Sequence, residues 1–144
     1  MESNPFMGTW KLVASEYRVS DGKVTYPLGE DCVGLLMYDN IGNMTAQLMR
    51  PNCSKFTSGD MRKGTTEEIT DAFNAFIAYF GTYEVNVENK TIAHHVKGSL
   101  FPNWVNETQV RHYSFEGDRL TLCTPPFPIG GKTGVGVLVW ERQS

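Results

Sequence analysis

Gly8-Thr9-Trp10, near the start of the chain, and Trp140-Glu141-Arg142, near its end, stand at opposite ends of a short sequence patterned as β-strand almost throughout. A tryptophan opening the first strand can plug the narrow end of an up-and-down β-barrel. An arginine from the last strand can then lay its guanidinium over the indole, a cation–π contact of roughly 0.5–1 kcal/mol. Such a pair, Trp10 with Arg142, ties the two ends of the chain together. A barrel closed in this way has a blocked base and an open mouth, which makes it a container for a small molecule. An ordinary core aromatic is the plainer reading of Trp10, so the rest of the chain has to decide.

Turn signals recur at hairpin spacing: Asp21-Gly22, Asp39-Asn40-Ile41-Gly42-Asn43, Glu88-Asn89-Lys90 and Glu116-Gly117-Asp118. Between them the polarity alternates, which places strands near 9–19, 23–28, 32–39, 43–50, 82–88, 90–100, 106–116, 118–124 and 134–142. Eight to ten antiparallel strands in a meander fit a closed all-β barrel better than a sandwich. One segment breaks the pattern. From Thr65 to Phe80, Thr65 and Glu68 form a capping box, and Ile69, Ala72, Phe73, Phe76, Ile77 and Phe80 recur at helical spacing until Gly81. This predicts an amphipathic helix of about four turns inserted mid-chain, either capping the barrel or packed on its outer wall. Residues 51–64 and 125–134 read as irregular loops, and Gly130-Gly131-Lys132-Thr133 lacks the first glycine and the following helix of a phosphate-binding loop.

The 144 residues, 40% hydrophobic and 20% charged, suit a single domain over 1–144 with a self-sufficient core. A net charge of −3 without basic clusters argues against nucleic acid and against an anionic membrane surface. The N-terminal residues lack the basic and apolar regions of a secretory leader, and no apolar run is long enough to span a bilayer. A cytoplasmic protein is therefore expected. Cys32, Cys53 and Cys123 are odd in number and widely spaced, as reduced thiols rather than a disulfide framework.

Several stretches carry a family resemblance: Gly8-Thr9-Trp10-Lys11-Leu12, Gly34-Leu35-Leu36-Met37-Tyr38, Tyr79-Phe80-Gly81-Thr82-Tyr83-Glu84-Val85, His94-His95-Val96-Lys97-Gly98-Ser99-Leu100-Phe101-Pro102-Asn103-Trp104, Gly117-Asp118-Arg119-Leu120-Thr121-Leu122 and Trp140-Glu141-Arg142. Through them the chain resembles the lipocalin-like domain family, short and often microbial proteins related to lipocalins and fatty-acid-binding proteins. The resemblance implies a calycin-type barrel and a small hydrophobic ligand. Proteins of this shape include carriers as well as cofactor-free cyclases and isomerases of natural-product pathways, so the family alone does not choose an activity.

Strand parity nominates the interior polar groups. His94 shares a face with Ile92, Val96, Gly98 and Leu100; Arg111 with Tyr113 and Phe115; Glu16 with Trp10, Leu12 and Ala14; Arg50 with Met44, Ala46 and Leu48. A histidine poised near neutrality could move a proton, an arginine could hold a carboxylate or a developing oxyanion, and a desolvated Glu16 could serve as an acid. His94, Arg111 and Glu16 are thus the catalytic candidates. Arg50, Tyr38, Phe76, Tyr79, Trp104 and Tyr113 are the ligand-binding ones. The plainer alternative is a satisfied core histidine and an Arg–Glu pair that neutralise each other. His94, His95 and His112 do not converge, so no metal is expected, nor any cofactor.

The expected partner is a small hydrophobic ligand or substrate, with no nucleic acid and no membrane; a homodimer stays open. The leading reading is a cofactor-independent biosynthetic isomerase or cyclase, and the competing one a non-catalytic carrier. An enzyme should bring acid, base and orienting group to one point, whereas a carrier should show one anchor in an oily cavity. A structural partner protein would instead have a filled barrel.

Overall fold

The computed structural model describes residues 4–144. Its strands run β1 (Gly8–Val19), β2 (Val24–Thr25), β3 (Val33–Tyr38), β4 (Asn43–Met49), β5 (Phe76–Asn86), β6 (Thr91–Ser99), β7 (Thr108–Glu116), β8 (Arg119–Cys123), β9 (Phe127–Ile129) and β10 (Lys132–Arg142). A helix, α1 (Thr66–Asn74), lies between β4 and β5, and a single turn of 3-10 helix, Pro102–Trp104, between β6 and β7. Around the sheet the order is β1-β3-β4-β5-β6-β7-β8-β10, and β10 returns to β1, closing an eight-stranded antiparallel barrel. The short β2 and β9 are added alongside β1 and β10 at one end, where Tyr17 pairs with Thr25 and Gly134 with Phe127.

The opposite end is shut. Trp10 is fully buried, stands opposite Arg142 on one side and Leu36 on the other, and donates its indole N–H to the Phe6 carbonyl at 2.8 Å. The Arg142 guanidinium carbon lies 4.2 Å from the centre of the Trp10 ring, while Nη1 donates to the Met7 carbonyl at 3.0 Å and Nη2 to that of Pro5. Phe6, also fully buried, meets Tyr38, Tyr113 and Phe115 edge-on, so that the base is an aromatic plug. Arg142→Ala is expected to cost about 1–2 kcal/mol, from the cation–π contact and two charge-assisted hydrogen bonds. In chemical denaturation Arg142→Lys should recover only part of this, because an ammonium lacks the planar fork.

Two departures from regular pairing change which side chains face inward. In β1 the register against β10 slips between Leu12 and Ala14, leaving Val13 as a bulge, so that Tyr17 and Val19 are buried in place of the even-numbered positions. Between β5 and β6, Gly81 pairs with Val96 while Phe80 pairs with Gly98, which makes Lys97 the extra residue. Beyond it Leu100 is on the outer surface instead of sharing the inward face of His94.

The helix expected over 65–80 ends at Asn74. Its start follows the capping box: Thr65 Oγ1 accepts from the Glu68 N–H at 3.1 Å, and Glu68 accepts from the Thr65 N–H at 2.8 Å. Ala75 is the C-cap, and Phe76 already pairs with Met49. The run Phe76-Ile77-Ala78-Tyr79-Phe80 is aromatic and β-branched, and pairing with β4 satisfies its backbone better than two more helical turns on the surface. The strand expected at 82–88 therefore begins at Phe76. The helix itself has no buried residue and rests against the outer wall beside β5. The strand expected at 23–28 shortens to Val24–Thr25, and the loop expected at 125–134 contains β9. No helix among the described residues is long and apolar enough to cross a membrane.

Candidate functional site

Inside the barrel lies a cavity of about 190 Å³. Leu36, Ala46, Leu48, Leu122, Leu138 and Trp140 supply most of its apolar wall. Its mouth is edged by the exposed Pro27, Pro125, Pro126 and Ile129, at the end carrying β2 and β9. An apolar cavity of about 150 Å³ already accepts benzene, so this space suits one ring with a short substituent rather than a long acyl chain. The cavity also removes the filled-barrel reading.

His94 sits on the inward face of β6 between Ile92 and Val96 and is 1% exposed. Its Nε2 is 2.7 Å from the Tyr38 hydroxyl and its Nδ1 is 3.0 Å from that of Tyr79. Burial, followed by the positive charge of Arg111 and then that of His95, lowers its pKa to about 3. The imidazole is therefore neutral in ordinary buffers, which corrects the expectation of a histidine poised near neutrality. A neutral ring has one N–H and one lone pair to offer. Tyr38 is 2% exposed, and its hydroxyl meets no acceptor but Nε2 among the described residues, so the Tyr38 O–H donates to Nε2. Nδ1 then carries the proton and donates to the Tyr79 oxygen, and the Tyr79 O–H is left to point at something else. Tyr79 lines the cavity. Burial raises the pKa of both tyrosines, most strongly that of Tyr38; the Arg111 charge opposes the rise in each.

The depressed histidine pKa has a measurable consequence. The unfolded chain, with an ordinary imidazole near 6.5, binds a proton that the folded chain refuses down to about pH 3. The contribution of neutral His94 to stability is complete above the unfolded value. It is lost as pH falls across that window, by at most about 1.4 kcal/mol per pH unit. Urea midpoints followed from neutral to acid pH should fall accordingly, and the slope should drop by about one proton in His94→Gln, which keeps a polar side chain between the tyrosines.

Arg111 comes from the inward face of β7 and is 8% exposed. Its Nη1 donates to Gln109 Oε1 and to the Val110 carbonyl, both at 3.2 Å. The ion pairs among the described residues are Arg18–Glu16, Arg50–Asp71 and Arg119–Glu141, with His95 also 3.4 Å from Glu84, and none of these contacts includes Arg111. Trp104 closes part of the wall, edge-on to Tyr79 at 5.9 Å.

The remaining nominees do not join this group. Glu16 borders the cavity, but the bulge at Val13 reverses the parity on which its inward assignment rests, and its carboxylate sits on Arg18 at 3.1 Å. Arg50 follows the end of β4 and turns outward to Asp71 of α1 at 2.5 Å, holding the helix rather than a ligand. Phe76 faces an outer groove with Phe56, Ile69 and Phe73, because it belongs to β5 and not to a lid. Tyr113 packs on Phe6 at 4.8 Å in the base, outside the cavity wall, and Tyr38 reaches the cavity only through His94. Gln109 and Trp140 are wall residues that parity could have nominated: Gln109 lies two residues before Arg111 on one strand, and Trp140 two before Arg142.

A closed barrel with a plugged base, an open mouth and an apolar interior holding a few donors defines a small-ligand-binding β-barrel. The chain belongs to the lipocalin-like domain family, whose model matches residues 7–143. It is 35% identical over 106 residues to the 4'-hydroxy-3'-methoxypropiophenone carrier protein of Aspergillus oryzae, an alignment covering 69% of this chain and 96% of that protein. No solved structure matches. Family and relative together support the binding of a small hydrophobic molecule.

Proposed function

We propose that the protein is a non-catalytic carrier of a small, single-ring aromatic molecule bearing a hydrogen-bond acceptor. The observation that carries this reading is the grouping of the interior polar residues. Arg111 and the Tyr79 hydroxyl form one donor-rich anchor, in a cavity otherwise apolar and of single-ring size. An isomerase or cyclase would need a base beside its acid. His94, whose pKa is lowered to about 3, is a feeble base engaged on both nitrogens, and Glu16 is held by Arg18. The A. oryzae relative is named for carrying an aryl ketone, whose ring and carbonyl suit such a cavity.

Titration calorimetry with 4'-hydroxy-3'-methoxypropiophenone, the compound in that relative's name, tests the reading. One molecule should bind per barrel, and chromatography of the mixture after prolonged incubation should return the ketone unchanged. Conversion to an isomer or cyclised product would favour the enzyme instead.

A further inference from the structure

Several donors on the cavity wall lack a full set of protein acceptors. Arg111 bonds to Gln109 and Val110 through Nη1, and its guanidinium also meets the Tyr79 oxygen, so its five N–H groups still outnumber the protein acceptors around them. Trp140 lines the cavity and is 1% exposed, and its indole N–H is buried without an acceptor among those residues. The Tyr79 O–H is turned outward from His94 by the Tyr38 bond at the far side of the ring. Two of the wall's side-chain acceptors are already engaged: Gln109 Oε1 by Arg111, and Thr124 Oγ1 by the Gly136 N–H at 2.8 Å. Added to this imbalance is a guanidinium charge in an apolar chamber with no carboxylate against it. Buried charges are otherwise paired, since an unpaired one is costly.

We propose that the cavity takes its ligand as an oxyanion, with the negative oxygen held by Arg111 and the Tyr79 hydroxyl. This rests on the carrier reading and narrows its ligand to aromatic carboxylates or to phenols acidified by a conjugated carbonyl. In the second class the anion spreads its charge over the phenolic and ketone oxygens, so either end can face Arg111. The chain Tyr38→His94→Tyr79 keeps the Tyr79 hydroxyl a donor: if Tyr79 donated to Nδ1 instead, Nε2 would carry the proton and the Tyr38 O–H would have no acceptor. The groups facing Arg111 are the neutral His94 from β6, Tyr79 from β5 and, behind the imidazole, Tyr38 from β3. Glu16 of β1 borders the same cavity but is paired with Arg18. None supplies a negative charge to Arg111.

Three probes of similar size separate the possibilities: phenylpropanoate, para-hydroxypropiophenone and its methyl ether, para-methoxypropiophenone, which cannot ionise. Absorbance titration reads the ionisation of the hydroxyketone directly, since its phenolate absorbs at longer wavelength than the phenol. Bound to the protein, the phenol should ionise at proton concentrations about tenfold or more above those needed in free solution. Arg111→Gln should abolish that shift while still binding the methyl ether. Tight binding of phenylpropanoate with a weak hydroxyketone would assign the carboxylate class, and the reverse the phenol class. Binding of the hydroxyketone and its methyl ether with equal affinity, the phenol staying protonated and phenylpropanoate failing to bind, would overturn the oxyanion proposal and leave the carrier reading standing. Failure of all three probes to bind would overturn both.

Discussion

Replacing Trp10 with alanine should lower the stability of the barrel by about 3–5 kcal/mol, the range seen when a large buried aromatic is truncated in a core that cannot collapse around the void. Since a domain of this size is stabilised by only about 5–15 kcal/mol, a large unfolded fraction is expected in mild denaturant. The loss combines several effects. The indole is fully buried in the core of the base and donates to Phe6, which in turn meets Tyr38, Tyr113 and Phe115. Removing it also leaves Arg142 without the face it covers. Trp10→Phe, which restores most of the volume but no donor, should recover more than half of the loss. Urea denaturation followed by circular dichroism distinguishes the two variants. A loss below about 1 kcal/mol for Trp10→Ala would mean that the base can repack without its central residue.

Arg111→Met is expected to move stability and affinity in opposite directions. Without ligand, replacing an uncompensated buried charge by an apolar side chain of similar length should raise stability by about 1–3 kcal/mol, as when buried ionic groups are exchanged for hydrophobic ones. With an anionic ligand the same change removes one partner of a desolvated charge pair, which costs about 2–5 kcal/mol, roughly thirtyfold or more in affinity. Thermal unfolding with and without phenylpropanoate reads both effects: the variant should melt above the unmodified protein when empty and show little further rise with ligand. A variant less stable than the parent when empty would show that the guanidinium stabilises the fold on its own, through its bonds to Gln109 and Val110.

Both substitutions fall on positions that strand alternation picks out, because period two is regular wherever the ladder is. Ile92, His94 and Val96 on one strand and Gln109, Arg111 and Tyr113 on its neighbour face inward together. The same rule fails at Glu16 and Leu100. One extra residue, Val13 or Lys97, shifts the parity of everything beyond it, and a bulge has no compositional mark in either segment. The helix boundary failed for a different reason. Phe76 and Phe80 fit one face of a helix and one face of a strand alike, and Ile77, which only a helix would set beside them, faces the barrel interior once the vacant edge of β4 takes up the segment as a strand. Arg50 followed that error, since its partner Asp71 comes from the helix outside the barrel. Phe6 lay in a polar N-terminal stretch where nothing local announces burial; it becomes visible only once Trp10 needs an acceptor. The electrostatic state of His94 depended on three-dimensional neighbours and was out of reach of any one strand.

The seam between β1 and β10 also bears on how the chain reaches this structure. Nine residue pairs join the first strand to the last, from Trp10 with Arg142 to Val19 with Gly134, so the bonds that seal the ring link the most distant parts of the sequence. Hairpins such as β3–β4 and β7–β8 can form early from local contacts, whereas the seam must overcome nearly the whole loop-closure entropy of the chain at once. During synthesis the ring therefore cannot be sealed until β10 has left the ribosome, and until then the interior walls carrying His94 and Arg111 belong to an open, curling sheet with two exposed edges.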